Sequence, residues 1–318
     1  MVELCNIERM GWTAMTIATA IVAATPWLHP AFEHGKLRGA SAPPSSRVSL
    51  LGRLIHAGVS KRLFSHFYCL AVGSCLLVFA DVFVFAGSLF TTRIQRSSVC
   101  SRIAGRSESA PELGAESLLI LALLALHSAR RLWECTSITS WGSSTMSIVA
   151  YAVGILHYQL MVLTVLVEAP PLGHLVREAR LGWGAAATVG SALAQSVCFR
   201  HAAAVGLFIV GFTRQHEAIV HLATLRGGTA SSSNTYAIPT MGWFQYVSCP
   251  HYLAELLVYA SFVLLGSFKG RGLGQGYLVV FAWVFANQAL VAGRAHVWYL
   301  QKFEGYPRER KRLIPGVW

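Results

Sequence analysis

Apolar residues dominate seven stretches of this chain, and short polar segments separate them. A transmembrane helix needs about 20 mostly apolar residues, which most of these stretches provide. Because every backbone N–H and C=O in lipid must be hydrogen-bonded within its own segment, each stretch is predicted to be a helix. The predicted spans are Trp12–Leu28, Leu63–Phe90, Leu113–His127, Met146–Val167, Trp183–Phe212, Phe244–Phe268 and Tyr277–Tyr299.

The composition agrees with this pattern. Hydrophobic residues make up 54% of the chain and charged residues 13%, whereas soluble domains are about 25% charged. A soluble chain of 318 residues would need more polar surface than this to cover itself. We therefore predict an all-α, multi-pass membrane bundle in which residues 1–318 form a single domain. The short third span is expected to continue as an amphipathic end through Trp133.

Lysine and arginine are distributed unevenly between the predicted loops. The first, third and fifth loops and the C-terminal tail carry most of them, although the second loop, with four arginines, opposes the trend. Basic residues accumulate on the cytoplasmic side of membrane proteins. The bias predicts a cytosolic C-terminus and, with seven spans, a luminal N-terminus.

The densest polar group near an apolar span runs from Tyr236 to Glu255. Pro250 is expected to restart a helix, because proline suits the first helical position. His251 and Glu255, four residues apart, would then share one face. A single histidine in an apolar span is usually a structural residue, but ionisable groups at membrane depth are costly and mark functional sites. The combination of His251, Tyr252 and Glu255 favours function.

The tail places a run of basic residues between Pro307 and Pro315. One interpretation is an anchor that touches anionic lipid headgroups. The other is a binding surface for a phosphorylated cofactor, because arginine matches phosphate oxygens in pairs. No metal is predicted, because His216 and His221 do not share a helix face and the seven cysteines lack ligand spacing.

Several motifs follow one another in a specific order. They are Lys61 to Tyr68, Arg130 to Glu134, Gln215 to Arg226, Ile238 to Phe244, Tyr246 to Glu255, and Tyr306 to Pro315. This series resembles the steroid 5α-reductase family, and within it the branch that reduces polyprenols or polyprenals. The resemblance covers most of the chain, which departs from the pattern at Thr91–Pro111 and in the Ser-rich stretch before Tyr236.

The resemblance implies a seven-helix reductase of the endoplasmic reticulum that uses NADPH. It would saturate the α-isoprene unit of a long-chain polyprenoid and so supply dolichol for protein N-glycosylation. The C-terminal part, from about residue 200 to residue 318, would face the cofactor. Carried over residue by residue, the cofactor-binding set is Gln215, Arg226, Tyr236, His251, Glu255, Tyr299 and Arg310. The substrate end would lie at the motif with His66 and Tyr68, and at Glu134.

The chemistry of hydride transfer narrows the substrate. Hydride adds to an electron-poor carbon, which an α,β-unsaturated aldehyde has and an allylic alcohol lacks, so polyprenal is favoured over polyprenol. A donor must polarise the carbonyl oxygen. His66 and Tyr68 are the candidate donors, with Glu134 as an orienting partner. The alternative for these two aromatic residues is a belt at the membrane interface.

Three other functions stay open at this point. A 5α-reductase of 3-oxo-4-ene steroids would use the same cofactor, and a membrane methyltransferase of the isoprenylcysteine type would use S-adenosylmethionine. A non-catalytic lipid carrier would not need so many polar residues on one membrane face. The expected partners are a polyprenoid substrate and membrane lipids, with no nucleic acid, and the chain is expected to be a monomer.

Overall fold

A computed structural model describes residues 4–25, 57–85, 89, 91, 112–169, 199–227, 236–266 and 275–318. These residues form seven α-helices and one small sheet. The helices are α1 Leu4–Ala24, α2 Phe64–Phe83, α3 Glu112–Trp133, α4 Ile148–Glu168, α5 Phe199–Gly227, α6 Pro250–Leu265 and α7 Gln275–Lys302. Strand β1, Gly58–Ser60, pairs antiparallel with β2, Thr145–Ser147.

The structure confirms an all-α membrane bundle. Three helical segments, Lys61–Phe83, Ile148–Glu168 and Gly276–Lys302, are long and apolar enough to cross a membrane by length and composition. The apolar segments Met10–Val22 and Pro250–Leu265 are shorter. As predicted, α3 continues to Trp133.

Several predicted boundaries differ from the structure; α1, for example, begins at Leu4 and not at Trp12. The sixth span was expected from Phe244, but α6 begins at Pro250, because a 3₁₀ turn at Gly242–Gln245 precedes it and Gly242 has a φ of +57°. The fifth helix runs on to Gly227. Residues 92–111, 183–198 and 228–235, which include the start of the predicted fifth span and most of both unmatched segments, lie outside the described residues.

The helices pack in pairs that bring distant parts of the chain together. Helix α5 lies along α6, α2 contacts α3 and α4, and α1 contacts α4 and α7. The β1–β2 pair lies immediately before α2 and α4, so it sets the starts of these two helices side by side. On α1, the buried Trp12 Nε1 donates to Thr164 Oγ1 on α4 at 2.9 Å. In lipid, such packing and interhelical hydrogen bonds hold helices together.

Gly211 allows the closest approach between α5 and α6. A Cβ atom there would lie 2.7 Å from the carbonyl oxygen of Ala254. A backbone oxygen cannot swing aside as the end of a side chain can, so any side chain at residue 211 would push the helices apart. The same contact positions Gln215, one turn further along α5, beside Glu255.

We expect Gly211→Ala to destabilise the purified protein by about 1–3 kcal/mol, the usual cost of overpacking. Thermal unfolding in detergent would measure the change. Gly206→Ala on the same helix is the matched control, because a Cβ there meets no atom within 4 Å. Equal melting temperatures for the two variants would contradict this account of the α5–α6 contact.

Candidate active site

A cavity of about 230 Å³ lies between α2, α4, α5, α6 and α7. Its two sides differ in chemistry. Apart from Tyr68, His157 and Tyr158, the α2–α4 side is apolar and consists of Phe64, Phe67, Ala150, Val153 and Gly154. The side formed by α5, α6 and α7 carries most of the polar residues, Gln215, His251, Tyr252, Glu255, Asn287 and Gln288, next to the apolar Ile219, Trp283, Val284 and Val291. Such a cavity suits a reaction between an apolar and a polar molecule.

Glu134 lies beside the cavity and is completely buried. The chain leaves α3 through a π-helical turn, Glu134–Ile138, in which Thr139 N donates to Glu134 O at 2.8 Å. The Glu134 carboxylate binds Arg130 Nη1 at 2.8 Å and also pairs with Arg131. His216 Nδ1 lies 2.7 Å from Glu134 Oε1. We call these four residues the Glu134 clamp.

The clamp reaches the cavity through Arg131. Its Nε donates to the Tyr68 hydroxyl oxygen at 3.3 Å, and its guanidinium carbon lies 5.3 Å from the centroid of the Tyr68 ring. Tyr68 and Arg131 both line the cavity. Since the phenol oxygen accepts this hydrogen bond, the Tyr68 proton stays available for donation into the cavity.

Gln215 connects the clamp to α6. Its Oε1 accepts from Arg130 Nη2 at 2.5 Å, and its Nε2 donates to the Glu255 carboxylate. Glu255 Oε1 also lies 3.5 Å from His127 Nε2 on α3. An arginine needs the amide oxygen and a carboxylate needs the amide nitrogen, so the two partners fix the orientation of this side chain. Gln215 is therefore fully engaged with the protein.

The predicted site residues fall into separate groups. Tyr68, Gln215, His251 and Glu255 line the cavity, and Glu134 reaches it through Arg131. His66 does not line it. That side chain is exposed, and its Nδ1 lies 2.9 Å from the Tyr151 hydroxyl. The position of His66 leaves Tyr68 as the candidate donor.

Three other predicted cofactor residues belong to a cluster around the tail. In this tail cluster, made of Tyr236, Trp298, Tyr299, Tyr306 and Arg310, the rings of Tyr299 and Tyr306 stack with their centroids 5.1 Å apart. Arg310 is buried and donates to the carbonyl oxygen of Pro239 at 2.8 Å. The Tyr236 ring packs edge-on against Trp298. The cluster therefore holds the segment before α6 against the tail.

Burial keeps the hydroxyl of Tyr306 neutral by raising its pKa, although Ser248 and Arg310 act in the opposite direction. The hydroxyl lies 2.7 Å from Ser248 Oγ, which also lies 2.7 Å from His296 Nδ1. Arg226, the remaining predicted cofactor residue, is exposed on α5, and its Nη1 lies 3.4 Å from the carbonyl oxygen of Ser140.

Comparison with known proteins places the chain in a family. Residues 187–318 match the family described as 3-oxo-5-alpha-steroid 4-dehydrogenase. The chain is 34% identical over 263 residues to human polyprenal reductase, an alignment that covers 81% of this chain and 77% of that protein. The chain belongs to the steroid 5α-reductase family.

Further relatives place it in the polyprenal reductase branch of that family. Polyprenal reductase of Danio rerio is 33% identical over 264 residues, covering 81% of this chain and 79% of that protein. The Caenorhabditis elegans protein of the same name is 29% identical over 266 residues, with the same coverage. Membership of the steroid 5α-reductase family makes the chain a membrane oxidoreductase and implies a nicotinamide cofactor.

The cavity fits part of such a cofactor. Pockets that enclose a whole drug-sized ligand measure about 300–1,000 Å³, more than the roughly 230 Å³ found here. The described cavity therefore suits a nicotinamide ring next to the reacting end of a second molecule. On the polar side, Asn287 and Gln288 are amide residues that line it.

Sequence reasoning missed several residues of this candidate site. Arg130 and Arg131 were counted as basic loop residues and as part of a family motif, but neither was predicted to belong to the site, because an arginine that ends a span usually marks the cytoplasmic side. Asn287 and Gln288 were overlooked, although two adjacent amides in the middle of an apolar span are a signal that sequence reasoning can use. Tyr158, which follows His157 on α4 and lines the cavity, was not singled out either.

We expect Glu134→Gln to destabilise the protein by about 3–5 kcal/mol, because two partly buried arginines would lose their counter-ion. Thermal unfolding and the amount of protein accumulating in the membrane would show the loss. The matched control is Glu217→Gln, which breaks an exposed pair with Arg214 and should change stability by about 1 kcal/mol or less. If the Glu134 variant were as stable as this control, the Glu134 clamp would not stabilise the protein.

Proposed function

We propose that this chain reduces the α-isoprene double bond of a polyprenal with NADPH. The single observation that carries the proposal is the Tyr68 hydroxyl, which Arg131 holds at the boundary between the apolar and polar sides of one cavity. The names of the relatives support polyprenal as the substrate class. The predicted single domain, with its cofactor-facing part from about residue 200, is part of this proposal.

In the proposed reaction, Tyr68 is the hydrogen-bond donor that polarises the aldehyde. Its O–H donates to the aldehyde oxygen, and its own oxygen accepts from Arg131. The positive guanidinium stabilises the charge that develops on the phenol oxygen as its proton moves to the substrate. Glu134 keeps Arg131 in place through its second carboxylate oxygen. A bound nicotinamide would supply the hydride to the β-carbon. The resulting enol takes up a proton at its α-carbon and returns the proton on its oxygen to Tyr68, which gives the saturated aldehyde.

The apolar side of the cavity suits the isoprene unit next to the aldehyde. The ring of Phe67 lies directly against α4, where a Cβ atom at Gly154 would come within 2.6 Å of the ring. The missing side chain of Gly154 therefore leaves room for the Phe67 ring to pack directly against α4. A flat, branched alkene can pack against this aromatic and aliphatic wall.

The proposed setting is the endoplasmic reticulum membrane, with the tail in the cytosol, where the product feeds dolichol synthesis and thereby protein N-glycosylation. The exposed basic residues Arg308, Lys311 and Arg312 support this orientation, because cytosolic leaflets carry anionic lipids. Arg131 near the end of α3 and Phe64 at the start of α2 line the cavity, and they adjoin the first and third loops, which the sequence predicts to be cytosolic.

We expect the purified protein with NADPH alone to reduce a short polyprenal and to leave the matching polyprenol unchanged. The conjugated carbonyl accepts the negative charge that hydride addition creates, and the alcohol cannot. Product analysis by mass spectrometry would measure both reactions. A 4-ene-3-one steroid and S-adenosylmethionine serve as comparison ligands. Rapid saturation of the polyprenol would contradict the aldehyde chemistry, and preferred turnover of the steroid would assign a different substrate.

We expect Tyr68→Phe to lose at least a hundredfold in kcat while retaining its affinity for NADPH, because the variant lacks only the donor to the aldehyde oxygen. Steady-state kinetics and a separate binding titration would test this.

Tyr158→Phe and Tyr252→Phe are matched controls in the same cavity. Among the described residues, neither of their hydroxyls contacts a cation as that of Tyr68 does, so both variants should retain most of the turnover. If either control loses as much turnover as Tyr68→Phe, the loss does not identify the Tyr68 hydroxyl as the donor to the aldehyde.

A further inference from the structure

Two adjacent amide side chains, Asn287 and Gln288, line the cavity from α7. Their helix is one of the three long apolar segments of the described chain. Polar side chains within a membrane-spanning helix are costly, and they usually form hydrogen bonds with a neighbouring helix. Within the described part of the chain, neither amide forms such a bond. Helix packing therefore gives no reason for their presence.

The other amide on the cavity wall behaves differently. Among the described residues lining the cavity there are three side-chain amides, and the third is Gln215. It is held by Arg130 on one side and by Glu255 on the other. Asn287 and Gln288 are therefore the amides that remain open to a bound molecule. An open amide in a membrane-embedded cavity gains free energy when a ligand satisfies it.

We propose that Asn287 and Gln288 bind the carboxamide of the nicotinamide ring. A carboxamide has one carbonyl acceptor and an NH₂ donor, and a side-chain amide presents the complementary pair. An aldehyde offers an acceptor alone, and Tyr68 already provides a donor for it on the cavity wall. Two amides next to each other thus match the carboxamide better than the aldehyde. This inference rests on the proposed function, because it assumes a nicotinamide cofactor.

A binding measurement can separate the carboxamide from the rest of the cofactor. The full chain in detergent would be titrated with NADPH and with its 3-acetylpyridine analogue, which retains the carbonyl but replaces the NH₂ group by methyl. Isothermal titration calorimetry reports affinity without turnover. The wild-type chain should bind the analogue several-fold more weakly, since the loss of one donor costs the analogue a hydrogen bond.

The variants are Asn287→Leu and Gln288→Met, which nearly conserve the side-chain volume. Each should weaken NADPH binding by about tenfold, the effect of roughly one hydrogen bond. Their affinity for the acetylpyridine analogue should fall less, so the preference for NADPH should shrink. The matched control is Gln159→Met on α4, an amide that accepts from Ser74 at 3.0 Å and does not line the cavity. This control should bind both cofactors as the wild type does.

The outcomes distinguish this inference from the proposed function. Failure of the wild-type chain to bind NADPH would overturn both. Normal binding of NADPH by the wild type and by both variants would overturn this inference alone. Unchanged cofactor affinities combined with a raised KM for the aldehyde would assign the two amides to the lipid substrate and also overturn it.

Discussion

The carboxylate of Glu134 is buried within the end of a helical bundle, and the arrangement of the site depends on it. A buried charge is tolerated only when it is paired and hydrogen-bonded in good geometry. Arg130 and Arg131 meet that need, and each guanidinium still has donors left. Arg130 uses a free donor for Gln215 on α5, and Arg131 uses one for Tyr68 on α2. A single carboxylate thus aligns groups from three helices.

The cavity acquires two chemically different walls from the way the helices pair. The short β1–β2 sheet starts α2 and α4 next to each other, and Gly154 lets their aromatic and aliphatic residues meet closely. On the other side, Gly211 brings α5 against α6, so that Gln215 reaches Glu255. Glycine serves both contacts because any side chain there would collide with a ring or a backbone oxygen. The polar and apolar walls therefore face each other across one small volume.

The tail cluster shows that the basic residues of the C-terminus do not all have the same role. Arg310 is buried and directed at the carbonyl oxygen of Pro239, while its neighbours Lys311 and Arg312 are exposed. Backbone hydrogen bonds also join the tail to the start of α6, since Lys311 N donates to Tyr246 O and Ser248 N donates to Lys311 O. Both earlier interpretations of the tail still apply to its exposed side chains. The buried arginine, by contrast, positions the segment that leads into His251 and Glu255.

The sequence by itself determined the membrane class, the approximate position of most of the spans and the restart of a helix at Pro250. Apolar runs of span length have no stable alternative in lipid, and proline has no N–H to lose at the first helical position. The order of the motifs also indicated the family and directed attention to Tyr68, Gln215, His251 and Glu255.

Only the tertiary structure decided which of these residues meet. Arg131 and Tyr68 are 63 positions apart, and Arg130 and Gln215 are 85 apart. Periodicity along one helix distinguishes its inner from its outer face, but it does not identify the neighbouring helix on the inner side. That choice depends on close contacts such as those at Gly154 and Gly211, and on which buried charges can be neutralised together. For the same reason, the sequence alone did not show that Arg130 and Arg131, which look like a membrane-boundary signal, hold Gln215 and the candidate donor Tyr68.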